Sequence, residues 1–375
     1  MRFREHTDEW HKFALSDFVT RITRRNKNNE SSLPLTISAQ YGLVDQITFF
    51  NKTVASVDLS GYYLLYNGDF AYNKSYSNDY AWGAVKRLDR YDKGCLSSLY
   101  FVFRPTDKVN SDYLTHYFET SKWHKGISDI AGEGARNHGL LNIAVEDYFA
   151  TQHYLPSLPE QKKIANFLNL ITKRIEVQNK IINKLESLIC TLRSTIFNSY
   201  NWEWNRLDTY IKSGIITLKR GNVIPKHDED SEFKFPVYSS SIHNNGLMGY
   251  NNSYMFDKEL ITWSVDGGGN FFYRPKHKFN VTNVCGIMEI TDNSYNYRFL
   301  SEILLAQHSR LIFDYQTKAH PSVIEKLYKI PNVDIKIQEK IAYIFELYYT
   351  KLQKEKDILS LYKKQKAYLL QNMFI

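Results

Sequence analysis

Between Pro159 and Ser199, apolar residues recur at alternating steps of four and three: Ile164, Leu168, Ile171, Ile175, Ile182, Leu185, Ile189, Leu192 and Ile196. Gln178 is the polar break. That spacing predicts a helix whose apolar seam packs along its whole length against another helix. At 1.5 Å per residue, some forty residues make a rod of roughly 55 Å, far longer than an average globular helix needs. The pattern returns 177 positions later, where Gln161, Ile164 and Ala165 become Gln338, Ile341 and Ala342. The second seam reads Ile341, Phe345, Tyr348, Leu352, Glu355, Leu359, Tyr362, Lys366, Leu369 and Met373. The break at Gln178 lands on Glu355, whereas Lys366 has no counterpart in the first rod. An internal repeat of this length predicts two copies of one plan.

The stretches before each rod share an outline. Residues 1–155 open at Glu9-Trp10, with a short helix expected over Phe13 to Val19 and strands expected at LPLTISA, QITFF, GYYLLY, DFAYN and LSSLYFVF. A helix (SDYLTHYFETSKWHKG) and a glycine-rich loop (AGEGARNHG) follow. Residues 201–333 repeat the outline: Glu203-Trp204 opens it, LITWSV stands for FAYNKS, Cys285 echoes Cys95, and RFLSEILLAQHS echoes DYLTHYFETSKW. Short strands with a few helices and no β-α-β alternation predict an α+β fold, not a Rossmann fold. The expected division is 1–155, 156–200, 201–333 and 334–375. Short linkers and neighbouring domain termini predict antiparallel rods, with one globular domain at each end about a pseudo-twofold axis. Gln178 and Glu355 then either meet as a polar layer that fixes register or both face water.

Composition adds modest constraints. Net charge is +8 and the pI near 9, which favours a polyanionic partner. Aromatic residues make up 15% of the chain, 28 of them tyrosines, which suits a partly wet binding surface. Cys95, Cys190 and Cys285 are widely spaced, indicating neither a disulfide framework nor a zinc site. With no apolar leader at MRFREHTDEW and no run approaching ~20 apolar residues, a cytoplasmic protein is expected.

Catalytic motifs are missing. The sequence has no GxxxxGK[ST], no HExxH, no Asn/Asp-Pro-Pro-Tyr/Phe and no PD…(D/E)xK cluster. Asp266 to Asn270 reads as a tight turn. What remains are polar, aromatic and basic loops between strands. In the first domain they carry Arg24, Arg25, Asn73, Lys74, Tyr76, Lys86, Arg87, Arg136 and Asn137. In the second they carry Ser239, Ser240, Ser241, His243, Asn244, Trp263, Asp266, Arg274, Lys318 and His320. Asn, Ser, Arg and Lys pair with base edges, and Arg and Lys also neutralise phosphates. For any one of these residues a solvated loop position is the better reading; the functional reading rests on matching placement in both domains.

The chain resembles the specificity subunit of type I restriction-modification systems. The resemblance spans the full length and is carried by the repeated domain-plus-helix plan, by LPSLPEQKKIANFL at Leu155 to Leu168 with its echo KIPNVDIKIQEKIAYIF, and by FPVYSSS and YQTKAHPSVIEKLYKIP. The second rod departs from the family pattern in having IKIQEK for Pro-x-x-Glu-Gln. The resemblance implies two target recognition domains, each reading half of a split double-stranded DNA sequence, with the helices as ruler. A ~50 Å separation corresponds to roughly fifteen base pairs. It further implies a chain without catalysis, metal or cofactor of its own. Two modification subunits, using S-adenosylmethionine at adenine N6, would dock on the rods, with restriction subunits that use ATP and magnesium. The competing expectation is a coiled-coil adaptor that binds proteins through its end domains.

Overall fold

The computed structural model describes residues 2–52, 54–76, 80–132, 139–224, 234–241, 243–266, 268–311 and 318–375. The chain forms two compact units, Met1–Gln178 with Ile358–Ile375, and Asn179–Asp357. Each takes a half of both long helices, a division that cuts across the four segments expected from sequence.

The first unit runs β1 (His11–Ala14), α1 (Leu15–Phe18), β2 (Val19–Arg21), β3 (Leu35–Ser38), β4 (Gly42–Asp45), α2 (Gln46–Phe50), β5 (Tyr63–Tyr66), β6 (Phe70–Asn73), β7 (Ala84–Arg87), β8 (Lys93–Leu96) and β9 (Phe101–Pro105). Then come α3 (Ser111–Tyr117), α4 (His124–Ile130), α5 (Val145–Ala150), β10 (Gln152–Leu155) and the first long helix, α6 (Leu158–Ser199). The main sheet has the order β2-β9-β6-β7. Its central strand β6 is buried on both faces: Phe70 and Tyr72 point into one core while Ala71 joins a second with Leu35, Leu65 and Val102. That is why DFAYN lacks the alternation of a half-buried strand. Tyr72 stacks on Tyr148 of α5, centroids 4.7 Å apart.

Three local expectations for this unit change. QITFF is helix α2, because Asp45 caps it by accepting from Ile47 N at 3.0 Å. The helix expected over Phe13 to Val19 shrinks to Leu15–Phe18 between two strands, and SDYLTHYFETSKWHKG breaks into α3 and α4.

The second unit runs β11 (Glu203–Arg206), α7 (Leu207–Lys212), β12 (Ile216–Arg220), β13 (Phe235–Tyr238), a tight turn at His243–Gly246, β14 (Leu247–Asn251), β15 (Phe256–Ser264), β16 (Phe271–Val281) and β17 (Cys285–Ile290). It closes with α8 (Tyr297–His308), α9 (Pro321–Leu327), β18 (Lys329–Asn332) and the second long helix, α10 (Ile335–Met373). Its sheet order is β12-β17-β15-β16-β13-β14.

Equivalent wiring repeats inside each unit. An antiparallel pair closes each globular part, β1 with β10 and β11 with β18. A buried glutamine then clasps the start of each long helix. Gln161 Oε1 accepts from Asn110 N at 2.8 Å while its amide donates to Pro156 O at 2.9 Å. Gln338 Oε1 accepts from Asn296 N at 2.9 Å while its amide Nε2 donates to Val333 O at 2.8 Å. Asn110 and Asn296 in turn cap α3 and α8.

Within the first unit, Ile164, Leu168 and Ile171 of α6 pack with Leu369, Met373 and Phe374 of α10 in one core. Lys366, the interruption in the second seam, pairs with Glu119 at 2.9 Å. Within the second unit the helices run antiparallel: Lys356 pairs with Glu186 at 2.7 Å, and Arg193 donates to Tyr349 Oη at 2.9 Å. Ile182, Ile189, Ile341, Phe345 and Leu352 are buried, while Ile175, Leu185, Leu192 and Leu359 are half-buried. Gln178 and Glu355 are each 6% exposed, so neither faces water.

Candidate nucleic-acid interface

In the second unit, the strand ends draw several of the sequence candidates together. The turn from β13 to β14 is closed by Ser239 N donating to Gly246 O at 2.8 Å. Ser264 Oγ, at the end of β15, donates to Ser240 O at 2.7 Å and so ties that turn to the neighbouring strand end. One residue further, Ala319 N donates to Val265 O at 3.0 Å, bringing in the segment of Lys318 and His320. Lys318 pairs with Asp266 at 3.1 Å, and His320 caps α9. Ser241, His243, Asn244, Lys318 and His320 are exposed; Ser239, Ser240 and Asp266 are half-buried.

Two candidates lie below this surface. Trp263 is fully buried and donates its indole N–H to Ala319 O at 2.7 Å, so it is a core residue and does not reach a ligand. Arg274 is 1% exposed, stacked 3.6 Å from the Tyr238 ring centroid. Its Nε donates to Thr262 Oγ1 at 3.0 Å and its Nη1 to Asn245 O at 2.9 Å. Burial pulls its pKa down to about 10, with Tyr238 and Cys285 opposing, so it stays cationic at neutral pH. Both lie within strands and not in the loops expected from sequence, because aromatic and basic side chains near strand ends do not declare which face they take.

The first unit has the same construction. Leu141 N donates to Lys74 O at 3.0 Å and Tyr76 N to Gly139 O at 3.0 Å, so the chain leaving β6 pairs with the segment after residues 133–138. The bond from Leu141 to Lys74 matches that from Ala319 to Val265, which aligns Phe70 with Ile261 and Tyr72 with Trp263. FAYNKS therefore matches ITWSVD, one residue on from the register expected at LITWSV. Asn73 and Lys74 are half-buried, with Lys74 Nζ 4.5 Å from the Phe101 ring centroid, and Tyr76 is 44% exposed. Arg136 and Asn137 fall outside the described residues.

The remaining first-unit candidates stand elsewhere and serve the fold. Arg24 donates to buried Asp69 at 2.8 Å and stacks 4.2 Å from the Tyr66 ring centroid. Arg25 donates to Gly61 O at 2.7 Å. Arg87 pairs with Asp89 at 2.6 Å and Asp112 at 2.7 Å. Lys86 borders a cavity of ≈590 Å³ with Glu119, Lys363 and Lys366, and burial lowers its pKa. Sequence inspection missed Thr262, Ser264, Asn245 and Asp69, whose roles depend on partners distant in the chain. Among the described residues no group of three His, Cys, Asp or Glu could hold a metal ion, and no helix is long and apolar enough to cross a membrane.

Two similarly wired α+β units, each presenting polar strand-end loops and each joined by a buried glutamine to long seamed helices, define a duplicated recognition protein built on a helical pair. The chain belongs to the family of type I restriction-modification specificity subunits. The family model for the type I restriction modification DNA specificity domain matches residues 209–361. A Mycoplasma pneumoniae protein described as a type I specificity subunit N-terminus is 34% identical over 149 residues, covering 38% of this chain and 78% of that relative. The type I restriction enzyme MpnII specificity subunit of the same organism is 30% identical over 140 residues, covering 36% of this chain and 42% of its own length. The crystal structure of a type I restriction-modification S subunit from M. genitalium shares the fold: TM-score 0.63 at 19% identity, covering all of this chain and 97% of that one. A chain from a structure on assembly and conformational transition of the type I R-M system has TM-score 0.56 at 14% identity, covering 97% of each.

Proposed function

We propose that the chain is the DNA sequence-specificity subunit of a type I restriction-modification complex. Each unit reads one half of a bipartite double-stranded target. The observation that carries this reading is the repeated strand-end wiring, Leu141 N to Lys74 O in one unit and Ala319 N to Val265 O in the other, with Ser75 and Tyr76 exposed beside the first and Lys318 and His320 beside the second. Such side chains suit base edges, and the net charge of +8 suits phosphate.

The chain contributes recognition without catalysis and works in the cytoplasm. The long helices set the spacing of the half-sites and dock two modification subunits. Beyond the buried seam, Leu170 and Val177 of α6 and Leu361 and Tyr368 of α10 are exposed in the first unit, and Leu188 of α6 and Leu347 of α10 in the second, apolar side chains of the kind that partner helices cover. The modification subunits supply S-adenosylmethionine chemistry at adenine, and restriction subunits with ATP and magnesium complete the complex. The test is to sequence modified adenines in DNA from cells carrying this chain with its modification subunit. Two short specified blocks around an unspecified spacer are expected; modification without sequence preference overturns the reading.

A further inference from the structure

The turn joining β13 to β14 is an unusual piece of backbone. Asn244 (φ 47°, ψ 40°), Asn245 (φ 55°, ψ 28°) and Gly246 (φ 79°) lie consecutively in the left-handed region. Asparagine is among the few L-residues that adopt it routinely, and then mostly singly. The conformation is held from beneath. The Arg274 guanidinium donates to Asn245 O at 2.9 Å, Ser239 N closes the turn on Gly246 O at 2.8 Å, and His243 N donates to Ser241 Oγ at 3.1 Å. Arg274 is itself costly to bury. Among the described residues no carboxylate pairs with it and its Nη2 has no hydrogen-bond partner. A Cβ on Gly246 would lie 3.2 Å from that Nη2 and 3.1 Å from Ser239 O, so the turn sits tightly on the cation. Above it, His243, Asn244 and Asn245 are exposed. Two left-handed asparagines fixed by a buried cation, with their own side chains in solvent, gain no packing for the strain, and strain of this kind collects at ligand-reading sites.

We propose that Asn244 is a base-reading side chain of the second unit, contacting the adenine of an A·T pair in the major groove, and that Arg274 is the positioning residue that fixes its turn. This deepens, and rests on, the DNA-reading function proposed above. An asparagine amide offers one donor and one acceptor side by side, matching adenine N7 and N6–H₂. A rigid backbone beneath lets the amide discriminate where a mobile loop would adapt to any base.

The test uses the full chain in complex with modification subunits on a randomised DNA library, read by sequencing the modified sites. Asn244→Gly keeps the left-handed turn and removes the amide. Discrimination should fall roughly tenfold or more at one A·T position of one half-site, with the other half unchanged. Asn244→Asp, which only accepts hydrogen bonds, should move that position toward C·G. Arg274→Met should blur several positions of the same half-site while the other is still read, an outcome that general unfolding does not produce. An Asn244→Gly motif identical to wild type, or changes in both half-sites, overturns the inference and leaves the DNA-reading function standing. Absence of any motif in the wild-type complex overturns both.

Discussion

The buried glutamine clasp gives a direct test of how the long helices are fixed to the globular parts. In Gln161→Ala, the Asn110 N–H and the Pro156 carbonyl lose their partners together. Gln161 is 1% exposed, so water does not readily replace it. An unsatisfied buried polar group costs about 1–3 kcal/mol, and freeing a glutamine side chain returns about 1–2 kcal/mol. The net loss should be about 2–3 kcal/mol for the first unit. At about 2–4 °C per kcal/mol for a domain of this size, its Tm should fall by roughly 5–10 °C. Gln161→Glu separates the two bonds: one oxygen still accepts from Asn110 N, but the other faces the Pro156 carbonyl with no proton to share. A carboxyl there has its folded pKa raised, so this variant is penalised at pH 7 and recovers as pH falls through that pKa, when the protonated acid can donate. Differential scanning calorimetry of the full chain at pH 7 and pH 4 reads both effects. A Gln161→Ala shift under about 2 °C, or a Gln161→Glu penalty independent of pH, would refute the clasp.

Two further outcomes follow from packing and charge. Gly286→Ala in β17 places a Cβ 2.0 Å from the Trp263 indole, which is fully buried. Overpacking should cost about 1–3 kcal/mol or more, and the Trp263→Phe background should absorb part of it, giving a non-additive double-mutant cycle in denaturant unfolding. Burial disfavours the Glu119 carboxylate, but His116 and Lys366 outweigh it and hold the pKa down at about 2. With its folded value depressed, Glu119 stabilises the first unit fully above about pH 5 and loses that contribution as pH falls toward 2. The shift corresponds to at most about 3 kcal/mol, reduced to about 2 because 29% of the side chain is exposed. Lys366→Met should therefore be destabilising at pH 7 and converge with wild type near pH 2; a constant difference across pH would count against the pair.

The long helices were legible because helix packing writes its period into the local sequence. Ile164, Leu168, Ile171, Ile182, Ile189, Ile341, Phe345, Leu352 and Leu369 were all named from spacing alone and all are buried. The polar breaks were located too, but their burial was not, since spacing does not tell a buried polar residue from a wet one. Short elements were harder. QITFF has strand-like composition, and Asp45 as a cap decides for helix. Charges were hardest of all: Arg24 is committed to Asp69 and Arg87 to Asp112, partners 45 and 25 residues away, and nothing local distinguishes them from cations free to meet phosphate. The same limit hid the burial of Arg274 beneath the turn it supports, although the residue itself stood among the candidates.

The central claim is that each unit reads its own half of a split DNA target. Exchanging residues 201–333 for the corresponding stretch of another specificity subunit, with both long helices kept, and sequencing the modified DNA tests it most directly. The account predicts that one half-site changes while the other half-site and the spacer length stay as in wild type. A change in both halves, or an unchanged motif, would contradict it.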